Sequence, residues 1–295
     1  MLNLFEIPDC IAGFWHITLL VGLGLGVGVA TGLFGVGGAF LITPMLNILL
    51  GIPYTLAAGS SLSFTIGTSV SAWSRHMRLG HVAPKTMTIL AGGAICGTLL
   101  GAKLHLFLKT SFGEFLFTLI MHGIFIALLA VTAAMIWHDQ NKKGAKSSLL
   151  ARLPGKPRIT IRTAQLTNIS LPGLCALGLL VGVLQGLLGI GGGVLLMPAM
   201  LLVVGLTVHQ SIGTSLGVVL FGSIAGAIIY GRTGQANLWI VMLLLAGSTI
   251  GVQIGVWICR RLHAAHIKKY FAVLVLLAAA VIAVDFVKKI LAHNL

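Results

Sequence analysis

At 295 residues, 57% of them hydrophobic and only 8% charged, with a mean hydropathy of +1.06, the chain is not a water-soluble domain, which would carry about a quarter charged residues. Nineteen Lys and Arg stand against five acidic residues, a net charge of +14. The basic residues gather in short loops between apolar runs, which is how topology is set in a membrane, so the charge does not make nucleic acid a partner.

A hydrocarbon core needs roughly 20 apolar residues per helix, and the apolar sequence suffices for about eight to ten segments. The expected fold is an all-α polytopic membrane protein with the lipid bilayer as its surroundings. The start, with Glu6 and Asp9 and no Lys or Arg, lacks the basic opening of a secretory signal, and the first helix is expected to be retained. Cys10, Cys96, Cys175 and Cys259 have no metal-like spacing. Neither a metal nor a cofactor is expected.

The first run, Ile11 to Phe34, carries Gly24, Gly28 and Gly32, a small face that allows close helix approach. Gly35 to Gly38 break it. Ala39 to Leu50 follows, closed by Gly51 and Pro53 and too short for an ordinary span. It is a half-helix, a re-entrant arm or a strongly thinned crossing. Leu56 to Trp73 is rich in Ser and Thr and leads into a basic loop from Arg75 through Arg78 to Lys85. Met87 to Leu108, with Gly93, Gly97 and Gly101, and Phe115 to Trp137 complete the first half. Residues 138–168 form a polar, basic linker, which divides the chain into repeats at 1–137 and 169–295.

The second half repeats the plan at an offset of 154. Leu171 to Leu188 carries Gly178, Gly182 and Gly186, and Val194 to Val204 is the second short run. Val208 to Tyr230, Leu238 to Ile258 and Tyr270 to Val287 follow, with Gly247, Gly251 and Gly255 matching Gly93, Gly97 and Gly101. An ungapped register this long is an internal duplication. The loops Arg75 to Lys85, the linker and Arg260 to Lys269 are basic and belong in the cytoplasm, whereas the counterpart of the first, Gly231 to Asn237, has only Arg232. Equivalent loops on opposite sides imply inverted repeats of about five segments each. Were the short runs re-entrant, an even count per half would make the halves parallel.

The glycine-rich breaks are the leading candidates for chemistry. A helix that begins inside the membrane offers unpaired N–H groups and the positive end of its dipole to an anion, and non-helical backbone at that depth belongs against protein or a cavity. Gly35, Gly37, Gly38, Gly189, Gly191 and Gly192 are therefore expected to bind substrate. A plain turn or close packing is the bland alternative. The hydroxyl pairs Ser60-Ser61 and Thr214-Ser215 recur at the same offset and can donate to oxyanions, or back to their own helices. Arg78 and Arg232, each in an Arg-x-Gly loop, suit oxyanion steering or topology. No carboxylate falls mid-membrane; His122 and His209 read as packed or interfacial histidines.

The paired motifs Gly32-Leu33-Phe34-Gly35-Val36-Gly37-Gly38 with Pro44 and Gly186-Leu187-Leu188-Gly189-Ile190-Gly191-Gly192-Gly193 with Pro198 resemble the signature of the TauE/SafE family of sulfite and organosulfonate transporters, across nearly the whole chain outside the linker. The Ser60-Ser61, Thr214-Ser215 and Arg-x-Gly positions fit it too. The resemblance implies a bacterial-type inner membrane protein that moves sulfite, thiosulfate, an organosulfonate or a related anion, and the duplicated helix break points to secondary transport by alternating access of two repeats. It leaves the anion, the direction and the coupling ion open. One departure is Ala39 where the second copy has Gly193. An anion channel and a non-transporting scaffold are the alternatives; an enzyme is not expected, and self-association into a homo-oligomer stays open.

Overall fold

The computed structural model describes residues 14–141, 158–161 and 166–293. Glu6, Asp9, Cys10 and the linker residues Lys142, Lys143, Lys146, Arg152, Lys156 and Arg162 lie outside the described residues. The first half contains α1 (Phe14–Phe34), α2 (Ala39–Leu50), α3 (Tyr54–Arg78), α4 (Pro84–Ser111) and α5 (Glu114–Asn141). Two short strands, β1 (Arg158–Ile161) and β2 (Leu166–Ser170), lead into α6 (Leu171–Leu188) and α7 (Gly193–Ala199), which runs on as a π turn over Met200–Val204. The chain then forms α8 (Val208–Arg232), α9 (Leu238–Arg261) and α10 (Ala264–His293).

Helix starts and stops follow local chemistry. Pro84 opens α4, and the side chains of Ser170, Thr207 and Asn237 cap α6, α8 and α9. Left-handed Gly51, Gly189 and Gly205 end α2, α6 and the π turn. The sequence led to a basic loop over Arg260 to Lys269, but only Leu262 and His263 lie between α9 and α10; the helices continue through the basic residues. The only strands among the described residues are β1 and β2, which pair antiparallel with Arg158 opposite Ser170. Among the described residues, seven helices are long and apolar enough to cross a membrane. α3 is not among them, because its Ser and Thr face the interior of the bundle: Ser60, Ser61, Thr65, Thr68 and Ser69 are all buried.

The short helices are the return arms of hairpins. Gly38, at the head of α2, packs against Val27 and Thr31 of α1, and the distal end of α2 lies beside the beginning of α1, where Ile48 and Leu49 share a groove with Trp15 and Thr18. Twelve residues rise only about 18 Å, so α2 returns to the face from which α1 entered. α3 and α8 run antiparallel, as do α5 and α10. Near the start of α3, Ser60 bonds to Asn237, beyond the end of α8, and near the start of α8, Thr214 bonds to Ala83, beyond the end of α3. His122, early in α5, faces Asp285, late in α10, at 3.7 Å.

Each half lends its first helix to the other. α1 lies parallel against α9, with Gly28 facing Ser248 and Gly32 facing Val252, and α6 lies parallel against α4, with Gly178 facing Leu90 and Gly182 facing Ala94. A Cβ at Gly28 would come within 2.7 Å of the Ser248 carbonyl oxygen. The small faces are thus spent on backbone contact between halves. Gly26 lies on the other side of α1, where a Cβ would meet open space. Gly28→Ala is expected to cost about 1–3 kcal/mol through overpacking, whereas Gly26→Ala should be neutral or stabilise by about 0.5–1 kcal/mol; thermal unfolding of the detergent-solubilised protein distinguishes the two.

Candidate substrate site at the crossed helix breaks

The two hairpin tips meet inside the bundle. Gly35, Gly37 and Gly38 hold φ values of 75°, 80° and 89°, and Gly189, Gly191 and Gly192 hold 67°, 74° and 68°, a region that only glycine enters at little cost. The six line two breaks that cross where Gly193 meets Val36 and Gly191 meets Ala39. Gly193 packs its Cα against the backbone of Val36, where a side chain would collide with the carbonyl, and Gly191 lies across from Ala39 and Thr65. This explains why the second motif has glycine where the first has Ala39: one of the two crossing strands must be bare.

A helix that stops inside a membrane leaves carbonyls without partners, and here other segments supply the donors. At the end of α6 the Tyr230 hydroxyl donates to the Gly186 carbonyl (2.9 Å), His105 Nδ1 to Leu187 (2.6 Å), the Tyr54 hydroxyl to Leu188 (3.0 Å) and the Thr43 hydroxyl to Gly189 (2.9 Å). At the end of α1, His76 Nε2 donates to Gly32 (2.9 Å), the Ser215 hydroxyl to Gly35 (2.8 Å) and the Thr68 hydroxyl to Gly37 (3.0 Å). His76 and Tyr230 stand at equivalent positions and do the same work with different chemistry.

The donors of the breaks are left over. The amides of Val36, Gly37, Gly38, Ala39 and Phe40, and those of Ile190 to Leu195, have no hydrogen-bond partner among the described residues; pairing resumes at Leu41 and Leu196. These residues are buried. With seven acceptors capped and these amides free, the crossing is left with hydrogen-bond donors to offer.

The hydroxyl pairs singled out in the sequence have framework partners. Ser60 Oγ accepts the Asn237 amide at 2.9 Å, and Thr214 Oγ1 accepts the Ala83 amide at 3.0 Å, so each holds the start of a helix against the opposite half. Ser61 bonds back to Ala57, and Ser215 alone of the four reaches a break. Sequence reasoning passed over Thr65, Thr68 and Ser69, although their helical spacing from Ser61 places them on one face. It also missed Gln185, which is buried behind the second break and donates to Val219 O and Ser223 Oγ.

Arg78 and Arg232 do not meet the breaks. Arg78 lines a cleft of 590 Å³ with Arg75, Arg260, Gln253 and Trp257 on the face where the linker joins, and Arg232 is exposed on the other face. Between the cleft side and the α1 break stand three histidines. The Gly32 carbonyl can only accept, so His76 Nε2 carries its proton, and in the neutral pair His76 Nδ1 accepts from His81 Nδ1 at 3.1 Å. The His209 ring centroid lies 5.0 Å from that of His81.

The fold defines a class: a multi-pass helical membrane protein built around interrupted helices, as membrane transporters are. The chain belongs to the TauE/SafE sulfite exporter family, whose model matches residues 20–282. Among its relatives, the probable membrane transporter protein YjnA of Bacillus subtilis is 30% identical over 79% of this chain and 86% of its own. YdhB of the same organism is 26% identical over 78% and 84%, and a probable membrane transporter protein of Xylella fastidiosa is 27% identical over 90% and 94%. No solved structure matches the chain.

Thr214→Val is expected to destabilise the fold by about 1–3 kcal/mol, because it strands the buried Ala83 amide, and to leave the anion affinity of the folded protein unchanged in a binding titration. Burial pushes the His81 imidazole in the α3–α4 loop below its ordinary 6.5, and His209 adds to the shift. The folded state therefore takes this proton less readily than the unfolded chain, so the stability His81 contributes is complete above about pH 6.5 and lost as pH falls below it. The thermal midpoint should drop between about pH 7.5 and about pH 5, and drop less in His81→Gln, which carries the residue found at the equivalent position 235.

Proposed function

We propose that this membrane transporter is a secondary transporter for a small sulfur-containing anion such as sulfite, thiosulfate or an organosulfonate, in a bacterial-type inner membrane. The observation that carries the reading is the division of labour at the breaks, where side chains from elsewhere in the bundle cap seven carbonyls and the amides stay free. Fixed backbone donors in a dry interior bind an oxyanion without the desolvation cost of a buried counter-charge. Membership of a sulfite exporter family supports the sulfur chemistry.

Antiparallel equivalent helices support alternating access: a conformation closed at one face has an exchanged counterpart closed at the other. The Arg75, Arg78 and Arg260 cleft would gather anions at the linker face, which the positive-inside rule assigns to the cytoplasm. A channel would need a continuous polar path, whereas Val36, Ala39 and Phe40 fill the crossing without solvent exposure.

Proteoliposomes containing the purified protein are expected to move sulfite, thiosulfate or sulfoacetate with saturable kinetics, and Gly37→Leu should abolish the flux, since φ 80° and the nearby Val219 and Thr65 methyls exclude a side chain. Conductance that does not saturate would make the protein a channel, and no movement of any of the three would remove the reading.

A further inference from the structure

The two breaks share a sequence motif but differ behind it. In the second half Gln185 reaches from α6 to α8, with Nε2 donating to the Val219 carbonyl at 3.1 Å and to Ser223 Oγ at 3.0 Å. Its Oε1 has no partner and lies in the space that a Cβ on Gly192 or Gly222 would enter, at 3.0 and 2.5 Å. The carboxamide therefore fills the back of the α7 break. The first-half counterparts of Gln185, Ser223 and Gly222 are Thr31, Ser69 and Thr68. Thr31 is too short to reach α3 and turns its hydroxyl back to the Val27 carbonyl at 2.9 Å. Thr68 is occupied with Gly37 O. Ser69, whose equivalent receives the Gln185 amide, is fully buried with no hydrogen-bond partner, and its Oγ would lie 3.5 Å from a Cβ on Gly37.

We propose that the transported anion is held at the α2 break alone, with Ser69 Oγ as the side-chain donor beside the Gly37, Gly38 and Ala39 amides, and that Gln185 plugs the corresponding place at the α7 break. This rests on the reading of the protein as an anion transporter and narrows its site. A completely buried hydroxyl without a partner carries a desolvation cost; an oxyanion oxygen at the head of α2 removes it and accepts from the amides at once. One hydroxyl beside the amides at the head of α2 selects a compact oxyanion headgroup, sulfite itself or the sulfonate end of a longer molecule. The α7 break offers no matching hydroxyl, since Ser223 is already paired with Gln185.

The test is a titration of the full-length purified protein with sulfite and with methanesulfonate, read by calorimetry and by the anion-induced rise in thermal midpoint. Wild type is expected to bind one anion per chain. Ser69→Ala should weaken binding about 10- to 100-fold while leaving the anion-free midpoint equal or higher, because the hydroxyl has no partner to lose; a merely structural serine would lower that midpoint. Thr31→Gln should abolish binding by filling the first break, and Gln185→Thr should raise the stoichiometry to two. Unchanged affinity in both Ser69→Ala and Thr31→Gln, in a wild type that binds and transports, overturns the α2 site and leaves the transporter reading standing. A wild type that neither binds nor moves these anions overturns both.

Discussion

Backbone that leaves a helix inside a bilayer finds no water, and each of its polar groups needs a partner from the protein or from a ligand. The rest of this structure depends on how that requirement is met at Gly35 to Gly38 and Gly189 to Gly193. Tyr54, His105 and Tyr230 converge on three successive carbonyls at the end of α6, and their rings pack on one another, with His105 5.2 Å from Tyr230 and 6.1 Å from Tyr54. The polar tips cap the helix while the ring bodies fill the apolar core. At α1 the same task falls to His76, Ser215 and Thr68. Capping from α3, α4 and α8 pins the tips in place, so the free amides point into a rigid frame and not into a loop that could collapse on itself.

Much of the architecture was legible in the sequence because glycine leaves two kinds of mark. Its spacing of four in Gly24, Gly28 and Gly32 reports a bare helix face, and its clustering in Gly35 to Gly38 reports a break. Neither mark names a partner. Four bare faces can pair in several ways, and the pairing of α1 with α9 and of α4 with α6 follows from the shape of the whole bundle. The same limit governed the hydroxyls: repetition of Ser60 at Thr214 suggested a ligand, yet the acceptors serve Asn237 and Ala83, residues whose proximity is set only when α3 and α8 lie antiparallel.

Repetition has a second blind spot. A constant offset of 154 displays what the halves share and says nothing where they differ. His76 and Tyr230 share a role but not a residue type, and Gln185 answers to the shorter Thr31. These positions carry the asymmetry of the molecule, and they look unremarkable in a register comparison. The capping of membrane-depth carbonyls was equally hidden, since Tyr54, Thr43 and His105 lie on three separate helices and only folding brings them to the end of α6.

The exchange of first helices has a mechanical consequence. Where α1 meets α9 and α6 meets α4, carbonyls face glycine Cα atoms with no side chain between them, an interface without slack for sliding. The most tightly packed units are therefore hybrids, α1 with α9 and α6 with α4, each drawn from both halves of the chain. A boundary placed at the linker divides the gene product but not the machine. Folding must likewise hold α1 in waiting until α9 has been made, so α1 emerges well before its seat exists.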